Sequence, residues 1–263
     1  MMRFSWKDKI KIFQFVAKEV MHIQWFGCKQ VLKILATTGN PSFVSDASIS
    51  SSLSLPQDSP ACAAALFIGH TLYTMGWLFK DIHFPDPNFR QEAPLQVPAM
   101  GFIFCSAYYL PMFCLTSGKC FGMVSWGCDV TLMAIGFASY TVGMLFHFGS
   151  DCQKYFTLKY KTPRSLITDG FFSYTRNPNY FGEVLIYTGY AVWSRSLMVF
   201  GVFLAMWAML FIPNMNKKDQ SMSRYPEFKS WKENTGFFFP RMSAVIRDFA
   251  LLTMNNPNTH KKE

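Results

Sequence analysis

Residues 169–190 read Asp169-Gly170-Phe171-Phe172-Ser173-Tyr174-Thr175-Arg176-Asn177-Pro178-Asn179-Tyr180-Phe181-Gly182-Glu183-Val184-Leu185-Ile186-Tyr187-Thr188-Gly189-Tyr190. The stretch opens as a polar turn and closes as an apolar run of membrane grade. Its middle carries a helix start signal, because Asn177 can cap and Pro178 suits the first helical position. Beyond that start, Asn179, Glu183, Tyr187, Tyr190 and Ser194 recur at i, i+4, i+8, i+11 and i+15, which is one helical face. A carboxylate this deep in apolar sequence costs about 2.5 kcal/mol or more at membrane depth, so Glu183 needs a partner or a wet cavity. It can pair with Arg176 or Arg195 at an interface, or it can serve a ligand. The capped start, the flanking Arg176 and the polar stripe together favour a ligand site.

Outward from this stretch the chain is apolar. Half of the 263 residues are hydrophobic, 28 are Phe, and 16% are charged. That composition excludes an ordinary soluble enzyme and points to an all-α, polytopic membrane bundle. The net charge of +9 borders apolar segments, which suits anionic lipid better than nucleic acid. The seven cysteines are odd in number and lack metal-type pairs. They read as small buried hydrophobes and not as a disulfide frame. No zinc spacing, Gly-x-Gly-x-x-Gly or P-loop appears, so neither a metal nor a Rossmann domain is expected.

Upstream, residues 1–33 alternate Lys and Arg with aromatics and read as an amphipathic helix on the membrane or a soluble cap helix. Residues 37–60 have a Ser-rich linker composition. Spans are expected at Ala61–Phe79, at Ala99–Thr116 with a kink at Pro111, and at Met123–Phe148, where Gly136 and Gly143 permit close helix contact. Downstream, Ser194-Arg195-Ser196 interrupts the apolar run. Two helices of about 24 Å each, Pro178–Trp193 and Leu197–Ile212, should form a hairpin too short for two full spans. Basic residues on both flanks, Lys154–Arg164 and Lys217-Lys218, place both flanks on the cytoplasmic face. Charges mixed with aromatics over Asn214–Arg241 suit an interfacial lid. The expected division is therefore 1–60 amphipathic segment and linker, 61–148 transmembrane helices, 149–242 cofactor-binding region, and 243–263 C-terminal tail.

The octapeptide Arg176-Asn177-Pro178-Asn179-Tyr180-Phe181-Gly182-Glu183 resembles the signature of a membrane superfamily. That superfamily includes steroid 5-alpha reductases, sterol C14 reductases and isoprenylcysteine carboxyl methyltransferases, and the chain looks most like its DUF1295 branch. The likeness runs from Phe148 to Arg241 and takes in Ser150-Asp151, Ser223-Arg224-Tyr225-Pro226 and Pro240-Arg241. It implies a helical membrane fold with a cofactor held by Asp151, Arg176, Asn179, Tyr180, Glu183, Arg224 and Tyr225. In the steroid reductases a Ser-Asp element closes the span before the signature and holds cofactor. The basic run containing Lys154 and Arg164 can face lipid or hold the phosphates of a dinucleotide.

Three functions follow from the resemblance. One is NADPH-dependent reduction of a carbon–carbon double bond in a steroid- or other lipid-like substrate. Another is methyl transfer from S-adenosylmethionine. The last is a scaffold without catalysis. The methyltransferases commonly show His where this chain has Asn177, and the basic excess suits a phosphate-rich cofactor, so the reductase reading is preferred. No catalytic residue is assigned: the spans offer Tyr73, Tyr108, Tyr109 and Tyr140 but no buried Glu to match the Tyr–Glu pair of steroid reductases. The ending His260-Lys261-Lys262-Glu263 approximates a retrieval signal of the endoplasmic reticulum.

Overall fold

The computed structural model describes residues 59–86, 106–117 and 130–254. The expected N-terminal amphipathic segment, nearly all of the linker, the first seven residues of each of the second and third spans and the C-terminal Lys-Lys pair lie outside these residues. Among the described residues the regular elements are all helices, with one isolated bridge beside them. The helices are α1 (Ser59–His83), α2 (Leu110–Ser117), α3 (Val130–Tyr160), α4 (Pro178–Ser194), α5 (Leu197–Met206), α6 (Ile212–Met222), α7 (Phe228–Asn234) and α8 (Met242–Met254).

Among the described residues three stretches are long and apolar enough to cross a membrane: Cys62–His83, Val130–Tyr160 and Leu197–Met222. At ~1.5 Å per residue each exceeds the ~30 Å hydrocarbon core. All three expose large apolar side chains, such as Leu72 and Met75, Ile135 and Leu145, and Leu204 and Met209. In water such surfaces would be a liability, whereas against lipid they are the expected outer face. The chain is a multi-pass, all-α membrane bundle.

Two elements differ from the sequence expectation. The third span does not stop at Phe148 but continues as helix to Tyr160. Nothing from Gly149 to Tyr160 breaks a helix, and Pro163 is the first residue that does. Ser150-Asp151 therefore lies within the helix and not at its end. The second arm of the hairpin is also longer than expected. A π turn at Trp207–Phe211 joins α5 to α6, so the helical run reaches Met222. Pro213 would collide with the carbonyl four residues back in an unbroken α-helix, and the wider turn just before it relieves that conflict.

The chain divides into two compact units. The first contains residues up to Thr141 together with Ile186–Trp207. Here α2 lies against α1, and Trp193, Tyr187 and Tyr190 are fully buried. Gly136 makes room for the Trp193 indole, since a Cβ there would sit 2.2 Å from Nε1. Arg195 takes a left-handed conformation at φ 57° and turns the chain, after which the Ser196 hydroxyl accepts from Val199 N and caps α5. Cys62 and Cys114 are disulfide-bonded, which corrects the reading of all the cysteines as buried hydrophobes. An apolar setting does not tell a thiol from a disulfide, so sequence gave no warning.

The second unit is Val142–Leu185 with the segment from Ala208 onward. Gly182 meets the α3 backbone here: a Cβ would lie 2.4 Å from His147 N and 2.6 Å from Gly143 O. Leu166, Phe172 and Trp231 form its small apolar core, with Tyr225 and Phe228 against it, and Trp231 Nε1 donates to Phe172 O at 2.8 Å.

Candidate cofactor site

All nine residues expected to hold cofactor fall in the second unit, and the structure brings together Asn179 with Glu183 and Asp151 with Lys154, builds Arg176 into the fold, and leaves the other four apart. Asn179 and Glu183 form the first group, one turn apart on α4, with α3 supplying a residue that the sequence argument left without a role. His147 is almost wholly buried, and its Nδ1 lies 3.5 Å from Glu183 Oε1 and 3.3 Å from the Asn179 carbonyl. Both neighbours are acceptors, so this nitrogen carries the hydrogen and donates. The Asn179 side-chain oxygen is buried without a hydrogen-bond partner in the protein. A buried acceptor left in that state is costly and marks a place for a donor from outside the chain. The signal for His147 was available: an imidazole in the last turn of the expected apolar span, four residues before Asp151, needs a polar neighbour.

A second group gathers charge. Lys218 on α6 donates to the Arg176 carbonyl at 3.0 Å and lies within electrostatic reach of Asp151, Lys154 and Asp219. Asp151 and Lys154 are half-buried on α3. Lys218, known from sequence only as a flanking charge, thus joins two of the expected residues.

Arg176 belongs to the fold more than to an open cavity. Its Nε reaches both Asp219 carboxylate oxygens, at 3.2 and 3.1 Å, and its Nη1 donates to the carbonyls of Lys232 and Thr235. A planar guanidinium directs its donors in a fixed fork that meets a carboxylate and two carbonyls at once. Around it the tail is stitched to the signature. Arg176 N donates to Gly236 O, and Gly236 N and Arg241 N donate to Tyr174 O. The Thr175 hydroxyl donates to Phe238 O at 2.9 Å. Asn177 Nδ2 donates to Phe237 O at 2.8 Å, so this side chain holds the tail and does not cap α4, although its carbonyl accepts the helical bond from Phe181 N.

The remaining expected residues stand apart from these groups. Arg224 is exposed and lies over the Tyr225 ring, 5.1 Å from its centroid, while Tyr225 packs on the apolar core. Arg164 is exposed on the loop after α3. The Tyr180 ring is 4.8 Å from that of Phe211.

The first unit holds a hydrogen-bonded tyrosine chain of its own. Tyr187 OH pairs with Tyr73 OH at 3.1 Å and also with Tyr108 OH. Tyr140 OH donates to Gly69 O at 2.8 Å, and His70 stacks on Tyr190 at 4.2 Å. Among the described residues no three His, Cys, Asp or Glu side chains gather as a metal site, and no nucleotide-binding sequence motif occurs.

No curated protein matches the chain. A family model described as a protein of unknown function, DUF1295, matches residues 103–235, a span that starts before the signature and ends at the residue where the stitched tail begins. With half the chain matched and with its membrane-spanning helices, the protein belongs to the DUF1295 family of steroid reductase-like membrane proteins.

Proposed function

We propose that the protein is an NADPH-dependent reductase of a carbon–carbon double bond in a lipid-like substrate. The observation that carries this reading is the unpartnered Asn179 side-chain oxygen beside the His147–Glu183 pair. The amide donor of a nicotinamide carboxamide fits that oxygen, and Glu183 accepts from a second amide or hydroxyl hydrogen. His147 holds Glu183 and the first turn of α4 in place through one nitrogen. Lys154 and Lys218 supply positive charge for the cofactor's phosphates, and Asp151 offers an acceptor beside them. NADPH, when bound, supplies the hydride. The apolar outer faces of the spans admit a substrate from the bilayer.

Ligand-dependent stability tests the cofactor. A ligand that binds only the folded protein raises stability by RT ln(1 + [L]/Kd), about 2.7 kcal/mol at a hundredfold excess over Kd. NADPH should raise the Tm of detergent-purified protein and S-adenosylmethionine should not. The opposite result supports a membrane methyltransferase in place of the reductase. The site itself is tested by Glu183→Gln, which places a donor where an acceptor is needed. Loss of a charged hydrogen bond costs about 1.5–3 kcal/mol, roughly ten- to a hundredfold in dinucleotide affinity. Unchanged affinity in a folded variant would rule the site out. We further propose a location in the endoplasmic reticulum, which microscopy of an internally tagged protein beside a marker of that compartment tests.

A further inference from the structure

Helix α8 follows the segment that the family model matches, and it has two different faces. Met242, Val245 and Ile246 are exposed and fall at i, i+3 and i+4, a single apolar stripe. On another flank Ser243, Ala244 and Arg247 line a cavity of about 640 Å³. Its remaining walls come from α7, the segment around Ser173 and the stitched tail, and they include Ser230, Asn234 and Arg241. None of the nine residues expected to hold cofactor lines it. Two arginines, Arg241 and Arg247, and one carboxylate, that of Glu227, are among its lining residues. Arg247 Nε donates to Asp248 at 3.0 Å, and Arg241 Nη1 donates to the Glu233 carbonyl. A guanidinium has five N–H donors, so each arginine keeps others for a ligand. Paired guanidinium forks with hydroxyl and amide groups beside them are the chemistry that recognises phosphate oxygens. The volume suits a small molecule or headgroup.

We infer that this cavity binds the phosphate headgroup of an anionic membrane lipid, while the apolar stripe of α8 lies in the surface of the same bilayer. The two faces belong to one helix, and the same unit contains the half of the third membrane-length run from Ala208 onward. A soluble phosphate ester would use the cavity but would leave the stripe without a role. An amphipathic helix in the membrane interface uses both, since its apolar side meets acyl chains and its polar side meets headgroups.

Native mass spectrometry of the full chain in neutral detergent reads lipid retention directly. One phosphatidylglycerol should be retained against an excess of phosphatidylcholine. Arg241→Gln/Arg247→Gln should lower that retention at least tenfold, and Ile246→Ser should lower it as well. Ser243→Trp, which fills the cavity while keeping both arginines, should also abolish retention, so the inference survives a fold defect in the double variant. Glu183→Gln should retain the lipid normally, which separates this site from the cofactor site. Normal retention by both Ser243→Trp and the double variant overturns the inference. Glycerol 3-phosphate competing as strongly as the lipid, with Ile246→Ser silent, overturns it in favour of a soluble ligand.

Discussion

At the scale of single residues, the signature divides its labour. Arg176 anchors the tail, while Asn179 and Glu183 face His147. Removing the guanidinium should therefore act on folding first. Arg176→Ala leaves Asp219 without this guanidinium partner and strips the carbonyls of Lys232 and Thr235 of a donor. Breaking a buried pair from one side costs about 3–5 kcal/mol, so the Tm should fall sharply while any correctly folded fraction keeps its dinucleotide affinity. A normal Tm with lost affinity would return Arg176 to the ligand. The polar stripe of Asn179 and Glu183 was legible because helical spacing alone puts them on one face. The anchoring role of Arg176 was not, since its partners lie 43, 56 and 59 residues away in sequence.

At the scale of elements, two glycines make opposite predictions. Gly182 meets backbone atoms that cannot step aside, so Gly182→Ala should part the α3–α4 contact and abolish folding. Gly201 on α5 has nothing within 4 Å of an added Cβ. Gly201→Ala should raise stability by about 0.8–1 kcal/mol through helix propensity alone, read as a Tm increase in the same detergent. The docking of α8 provides a further test. Tyr174 OH donates to Asp248 Oδ2 at 3.0 Å. The Arg247 guanidinium, and then this hydroxyl, hold the Asp248 carboxyl below its usual range. A depressed acid stabilises above its unfolded value, about 3.9, and loses that contribution as pH falls through the folded value. The same bond raises the Tyr174 phenol above its usual value. That contribution is present below about pH 10 and is lost as pH rises through the raised value. Rate-corrected hydrogen-exchange protection of α8 should therefore be flat between about pH 5 and 9, and a midpoint near neutrality would point to another group. Helix starts and the Ser194-Arg195-Ser196 interruption were readable because Pro, Asn and charge punctuate them. Proline at 213 concealed a continuous run, because sequence does not display a π turn. Helix α8 is readable in principle from Met242, Val245, Ile246 and Phe249 at helical spacing, within the stretch 243–263 expected only as a C-terminal tail.

At the scale of the whole molecule, membrane character was legible from composition, and the exposed apolar faces of three membrane-length runs agree with it. Within the second unit, Lys218 lies near Asp151 and Lys154, and Arg176 grips Asp219. The loop after α3 and the segment after α6 should therefore share one membrane face. Cysteine labels introduced at Lys161 and Ser223 should react together with an impermeant reagent from the cytoplasmic side, and opposite accessibility would break this arrangement.

The stitched tail also decides where the chain can be cut. Family resemblance by itself would suggest Thr235 as a natural boundary, since the match ends there. The hydrogen bonds between residues 174–177 and Gly236, Phe237, Phe238 and Arg241 say otherwise. A protein truncated after Thr235 leaves buried donors and acceptors of the signature unsatisfied, at about 1–3 kcal/mol for each such group. Its signature turn should be opened by protease. Truncation after Met242 keeps every one of those bonds and should leave the turn resistant, so the smallest autonomous piece of this protein is longer than the segment by which its kinship is recognised.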